Sequence, residues 1–164
     1  MIILGIDPGT ATTGFGSILV KNNSFEALEW GLIETNKESE PSVRLMTIHS
    51  QMLEIIKKTQ PDVIAIEKLF FAANAKTAIR VGQAQGVMLL AAAHTNSVIF
   101  EYAPGTIKKM VTGDGRADKK IVQSHIRKIF GAKVRSGKHK KTHFDNAADA
   151  LAVALCHAYI VASK

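Results

Sequence analysis

Three acidic residues, Asp7, Glu67 and Asp149, are placed where they could do chemistry together. Asp7 closes the apolar run that opens the chain, and the turn residues Pro8 and Gly9 follow it directly in "GIDPGTATTGFG". Glu67 repeats that setting at the end of "DVIAIE". A carboxylate at the mouth of a buried strand is costly unless a cation meets it, so each acid calls for a lysine, a backbone nest or a metal. Asp-Pro-Gly is also an ordinary turn sequence, and Asp7 alone does not decide between turn and site. Asp149 sits in "DNAADALAVALCHAY", an otherwise apolar helical stretch, with Asn146 at i,i+3 on the same face. Asp145 reads either as a further ligand or as the N-cap and dipole partner of the helix it begins. Acids from two strand ends and a helix, with no Cys or His pair at a zinc spacing, form a hard oxygen donor set. Such a set favours Mg2+, with Mn2+ able to substitute, over zinc.

Charge supplies the partner for such a site. Residues 105–143 hold twelve of the 21 Lys and Arg but only two of the 14 acids, Asp114 and Asp118, a local balance of +10. The chain as a whole carries +7, so the remainder is −3. A concentrated basic segment on a mildly acidic body points to a polyanion-binding face, nucleic acid first, rather than to a solvated charge run. Beside that face, an oxygen-rich acidic site suggests two metal ions flanking a scissile phosphate, with Asp7 as the central ligand.

The elements that must position these residues follow from periodicity. The chain has 164 residues, 46% of them hydrophobic, which suits a single domain over 1–164 with a real core. Apolar runs predict strands at the start of the chain, over Phe15–Val20 and over Phe25–Thr35, joined as hairpins. Pro41 opens a helix with Leu45, Ile48, Met52, Ile55 and Ile56 on one face. Val63–Ile66 is a compact buried strand ending in Glu67, and Asn74–His94 a long helix. "SVIFEYAP" is a further strand, 105–112 and 118–130 are short helices, and Asp145–Ala162 is the last helix. A three-strand meander followed by alternating helix and strand implies an α/β mixed sheet with helices on both faces. If the strands ending in Asp7 and Glu67 are parallel neighbours, both acids emerge at one carboxyl edge, where such sheets place their sites. No run approaches a membrane span, no basic-then-apolar leader precedes the first strand, and the lone Cys156 fits a reducing compartment. The expected location is cytoplasmic, with no membrane partner.

The segments "GIDPGT", "AIEKLFFAANAKTAIRVGQAQG", "YAPGTIKK", "GDGRADKKIVQ" and "AADALAVALCH" resemble, in order and spacing, those of the RuvC family of Holliday junction resolvases, from end to end of the chain. The resemblance implies an RNase H-like fold with a five-stranded sheet. It also implies a homodimer and magnesium-dependent paired nicking of four-way DNA junctions in homologous recombination and repair. Cooperation with a branch-migration motor of the RuvA and RuvB type, and cutting at a short thymine-containing sequence, belong to the same implication. Residue by residue, Asp7, Glu67 and Asp149 fall on family metal-ligand positions, and Asn146 falls on the fourth, where a carboxylate is usual. Lys108 and Lys119 match basic positions that meet the DNA backbone near the cut, with Lys109 and Lys120 beside them, and Lys119 is a candidate for charge stabilisation in the transition state. Phe70 matches an aromatic that stacks at the junction centre, although Phe70 and Phe71 also read as core. Gly82, Ala84 and Gly86 fall in the helix where the family forms its dimer contact.

Two other readings compete. "GIDPGT" also looks like the first phosphate loop of actin-like ATPases and sugar kinases, a fold whose second lobe and second phosphate loop do not fit in 164 residues. The amide at Asn146 allows a junction-binding protein that does not cut, since its carbonyl can ligate a metal but lacks the charge that draws in two divalent ions.

Overall fold

The computed structural model describes residues 1–22, 24–69, 75–131 and 141–163. Five strands, β1 (Ile2–Asp7), β2 (Thr12–Lys21), β3 (Ser24–Glu34), β4 (Val63–Glu67) and β5 (Val98–Tyr102), form one sheet in the order β3-β2-β1-β4-β5. The meander β1–β2–β3 is antiparallel, while β4 and β5 run parallel to β1, so the sheet is mixed as expected. Five helices complete the described residues: α1 (Pro41–Thr59), α2 (Ala75–Ala93), α3 (Pro104–Thr112), α4 (Lys119–Phe130) and α5 (Lys141–Ala162).

Strand alternation divides the interior into two cores. Leu4, Ile6, Ile64 and Ile66 point to the face covered by α1 and α2, where Ile48, Met52 and Ile56 at i,i+4 spacing meet Ala84, Met88 and Ala91. Ile3, Val63 and Ala65 point to the opposite face, which α5 covers and α3 and α4 close from outside. Because α5 is enclosed on nearly every side, it is apolar on nearly all faces from Ala147 to Ala158, with Asp149 and the buried His157 as the polar exceptions.

The approach of α5 to the sheet is set by glycine. A methyl at Gly5 would overlap the Ala150 carbonyl oxygen and lie 2.7 Å from the Ala154 amide nitrogen. A methyl at Gly14 would overlap the Asn146 carbonyl oxygen. The helix therefore rests its backbone directly on β1 and β2, which no side-chain-bearing residue at those two positions would allow.

Two element starts differ from the sequence expectation by more than a residue: the second strand starts at Thr12 rather than Phe15, and the last helix starts early. The last helix begins at Lys141, one turn before Asp145, and no acid lies in its first turn. Asp145 is thus inside the helix and is not its N-cap, because the stretch from Lys141 contains no Gly or Pro to delay the helix. The Asp145 side chain, together with Phe70 and Phe71, lies outside the described residues.

Candidate active site

Parity along the strands places the two strand-end acids. Asp7 continues the row Ile3, Gly5, and Glu67 continues the row Val63, Ala65, so both project on the α5 face. The parallel register pairs Ile3 with Val63 and Ile6 with Ile66, and one further step sets Asp7 beside Glu67. On the other side Asp7 pairs with Gly14, the residue pressed against the Asn146 backbone. Glycine at positions 5 and 14 thus brings the start of α5, and Asp149 with it, over the strand ends.

Two short helices bring the cations. In α3, Pro104 opens the first turn and Ile107 and Val111 turn inward, which leaves Lys108 half-buried at the edge. Gly113, at φ 85°, ends that helix in the left-handed conformation that glycine adopts without strain. Asp118 then caps α4 by accepting from the Ile121 amide at 2.9 Å, and Lys119 becomes the first residue of the helix.

The result is a cleft of about 290 Å³ lined by Asp7, Glu67, Asp149, Lys108 and Lys119, with Pro104, Ile107, Val122 and Ala152 as its apolar walls. Lys119 Nζ lies 2.6 Å from Asp149 Oδ2, with side chains 50% and 21% exposed. Burial above all, and then the negative charges of Glu67 and Asp149, push the Asp7 carboxyl up to about 7 against the pull of Lys119. Glu67 is likewise raised to about 7, by burial first and Asp149 second, with Lys108 and Lys119 opposing. Two lysines therefore leave the three acids under-neutralised, which is the electrostatic condition that suits a divalent cation. The donors present, all carboxylate oxygen with an amide nearby, fit Mg2+ or Mn2+ in kind. Among the described residues no three carboxylate, imidazole or thiol groups are gathered tightly enough to enclose one ion, and Asp149 is held by Lys119 instead.

Five of the sequence-predicted residues thus share one cleft. Asn146 does not line it, although its backbone touches Gly14 at the edge of the Asp7 strand. Lys109 and Lys120 are exposed on α3 and α4 and lie outside the lining. The apolar walls were not singled out from sequence. Their signal was helical spacing, because Val122 stands at i+3 from Lys119 and Ile107 at i+3 from Pro104.

The "GIDPGT" loop bonds to the strand that follows it. Thr13 Oγ1 donates to the Gly9 carbonyl at 2.7 Å and accepts from the Gly9 amide at 3.4 Å, so the turn closes on itself. That contact occupies one amide of the loop, that of Gly9.

Comparison with known proteins gives the family and the fold. Residues 3–157 match the family described as crossover junction endodeoxyribonuclease RuvC. The chain is 46% identical over 158 residues to the protein of that description from Moorella thermoacetica, covering 96% of this chain and 91% of the relative. It is 44% identical over 158 residues to the one from Caldicellulosiruptor saccharolyticus, covering 96% and 92%. The structure of T. thermophilus RuvC in complex with a Holliday junction substrate superposes with a TM-score of 0.86 at 31% identity, covering 98% of this chain and 94% of that one. A mixed five-stranded sheet between two helical layers, a shared fold with RuvC and a family match over nearly the whole sequence lead to one conclusion: the chain belongs to the RuvC family of crossover junction endodeoxyribonucleases.

Proposed function

We propose that this chain is a Holliday junction resolvase that nicks four-way DNA junctions by magnesium-dependent phosphodiester hydrolysis. The observation that carries the reading is the gathering of Asp7, Glu67 and Asp149 in one cleft with Lys108 and Lys119. Asp7, Glu67 and Asp149 would hold Mg2+, two ions in our reading, with the Asn146 amide oxygen as a neutral fourth donor. Bound ions supply an activated water and a counter-charge for the leaving oxygen. Lys108 and Lys119 hold the phosphate from the opposite wall, and Lys119 stands where charge develops on it. The deciding experiment compares cleavage of a synthetic four-way junction with that of linear duplex across a magnesium titration. Equal cutting of the two substrates, or cutting that ignores divalent metal, would refute the reading.

The basic wall has its own signature. Lys108→Ala and Lys119→Ala should each weaken junction binding and lower the slope of log K against log salt by about 0.9, the effect of one phosphate contact. Unchanged slopes in both variants would place these lysines off the DNA path.

A binding protein with little cleavage is the second reading, favoured by the amide at Asn146. It brings no charge to offset divalent ions, and Asp145 lies about 100° around the helix from it. We expect junction binding to be normal and cutting slow, and Asn146→Asp to raise the magnesium-dependent rate by about tenfold or more, at least the scale of an outer-shell partner. Equal rates for both forms would give the fourth-ligand role to another group.

The chain acts as a homodimer in this reading, and α2 offers the face. Ile79 is 63% exposed and Leu90 52%, while a methyl on Gly86 between them would meet nothing within 4 Å. Ala84 belongs instead to the chain's own core, fully buried, so it does not join that face as the sequence suggested. Sedimentation should show twice the chain mass, falling toward one chain mass in Ile79→Glu. A wild-type monomer at micromolar concentration would overturn the assignment. Among the described residues no helix is long and apolar enough to cross a membrane.

A further inference from the structure

A second cationic hollow opens on the opposite face of the sheet, between the start of α1 and the side of α2. It encloses about 240 Å³, and its polar lining is Thr10, Lys37, Ser39, Arg44, Arg80 and Gln83. Three cations converge there with two hydroxyls and an amide, and among the described residues no carboxylate lines it. Glu38 and Glu40, the acids nearest in sequence, are exposed and stay outside the lining. Among the described residues none of Lys37, Arg44 and Arg80 enters an ion pair.

Arg44 is anchored by neutral oxygens alone. Its Nε donates to Thr35 Oγ1 at 2.9 Å and its Nη2 to the Thr10 carbonyl at 2.8 Å, so its position is fixed while its charge is not cancelled. The start of α1, with Pro41 in its first turn, has no side-chain cap, and the positive end of that 19-residue helix adds to the field. Convergent guanidinium and ammonium groups, hydroxyl donors and an uncapped helix start together suit a phosphate. The volume falls below the range of roughly 300–1,000 Å³ usual for small-molecule sites, which fits a phosphate group better than a whole cofactor.

The hollow is tied to the catalytic cleft through one loop. Thr35 Oγ1 donates to the Thr10 carbonyl at 2.6 Å, so both Thr35 and Arg44 grip the turn that leaves Asp7. Three chain steps lead from Asp7 to Thr10, at most about 11 Å along the chain. Successive phosphates of one strand advance only about 3.4 Å along a duplex axis. A strand with one phosphate in the Asp7 cleft is thus long enough, within about four nucleotides, to reach this loop.

We propose that the hollow formed by Lys37, Arg44 and Arg80 is a second phosphate-binding site, which takes a backbone phosphate of the same DNA whose scissile phosphate lies in the Asp7 cleft. The proposal rests on the nuclease reading above. It makes Arg80 and Lys37 binding residues and Arg44 both a binding residue and a brace for the Asp7 loop.

The test measures junction affinity against salt for the full chain without divalent metal, in wild type, Arg80→Ala, Lys37→Ala/Arg80→Ala, Arg80→Lys and Lys57→Ala. Arg44 is left intact because its loss would loosen the loop. Arg80→Ala should bind several-fold more weakly, with its log–log salt slope lower by about 0.9, and the double variant should lose about twice that. Arg80→Lys should keep the slope, and Lys57→Ala, at the far end of α1, should match wild type. A double variant with the wild-type slope overturns the site, while Lys108→Ala, still reducing the slope, would show that the nuclease reading stands. If wild type does not prefer junctions and Lys108→Ala also leaves the slope unchanged, the nuclease reading and this proposal fall together. A parallel thermal-shift titration uses inorganic phosphate and a mononucleotide. Stabilisation that the double variant abolishes, combined with an unchanged junction slope, would assign the hollow to a free phosphate and overturn the DNA proposal.

Discussion

Asp7→Asn should remove junction cleavage while making the metal-free protein more stable. In the proposed reading Asp7 contributes a ligand oxygen at the strand end and takes no part in the basic wall, so binding should stay within a few-fold of wild type. The loss of rate should exceed the roughly 10–100-fold that an outer-shell partner of a metal is worth. The stability gain follows from the raised carboxyl, at about 7 in the folded chain against 3.8 for an ordinary aspartate. A carboxyl raised by folding holds its proton more tightly in the native state. Its ionisation therefore costs nothing below about pH 4, weakens the fold progressively as pH climbs toward 7, and exerts its full penalty above that. Asn lacks that penalty, so at pH 8 without metal the variant should be more stable by on the order of 2–4 kcal/mol, less than the full shift because Glu67 shares the effect. Magnesium should then raise the melting temperature of wild type more than that of the variant. Cleavage within tenfold of wild type would remove Asp7 from the ligand set. A variant less stable than wild type at pH 8 would mean that the Asp7 charge is compensated within the folded chain.

Gly5→Ala should be the most damaging conservative change in the sheet. The added methyl meets the Ala150 carbonyl and the Ala154 amide, which belong to the backbone of α5 and have no rotamer to retreat into. Overpacking of a core commonly costs about 1–3 kcal/mol when side chains can shift, and here the whole helix must lift, so we expect a loss at or above the top of that range. The displaced helix carries Asp149, so any folded fraction should cut slowly as well. Gly86→Ala provides the contrast in the separated chain, since its methyl meets nothing of its own chain within 4 Å and should stabilise that fold by about 0.5–1 kcal/mol. In the dimer it bears on the proposed α2 contact. Denaturant unfolding of the two variants reads both effects. A Gly5→Ala midpoint equal to wild type would show that another contact sets the height of α5.

Both predictions expose the same tension. Asp7 and Glu67 sit at strand ends where burial works against their charge, and the close seat of α5 on glycine is what buries them.

Much of this arrangement was legible in the residues alone, for local physical reasons. Apolar runs closing in Asp7 and Glu67 mark strands whose period of two already assigns those acids to a face once Ile3 and Val63 are taken as core. The i,i+4 stripe Ile48, Met52, Ile56 is equally local, and the helix it predicts is present. The start of α5 was misjudged because the basic stretch ahead of Asp145 carries no apolar period to mark a helix, so the acids looked like its cap. Other features depend on residues far apart in the chain meeting through packing. The 2.6 Å pair of Lys119 with Asp149 spans thirty positions and exists because α4 docks on α5. The hollow of Lys37, Arg44 and Arg80 left no trace in the charge map, where its cations are scattered among acids such as Glu38 and Glu40. Charge clustering along a chain reveals a site only when the site is built from one segment; where α1 and α2 are brought together by a shared apolar core, the cations on their rims become neighbours as a consequence of that core.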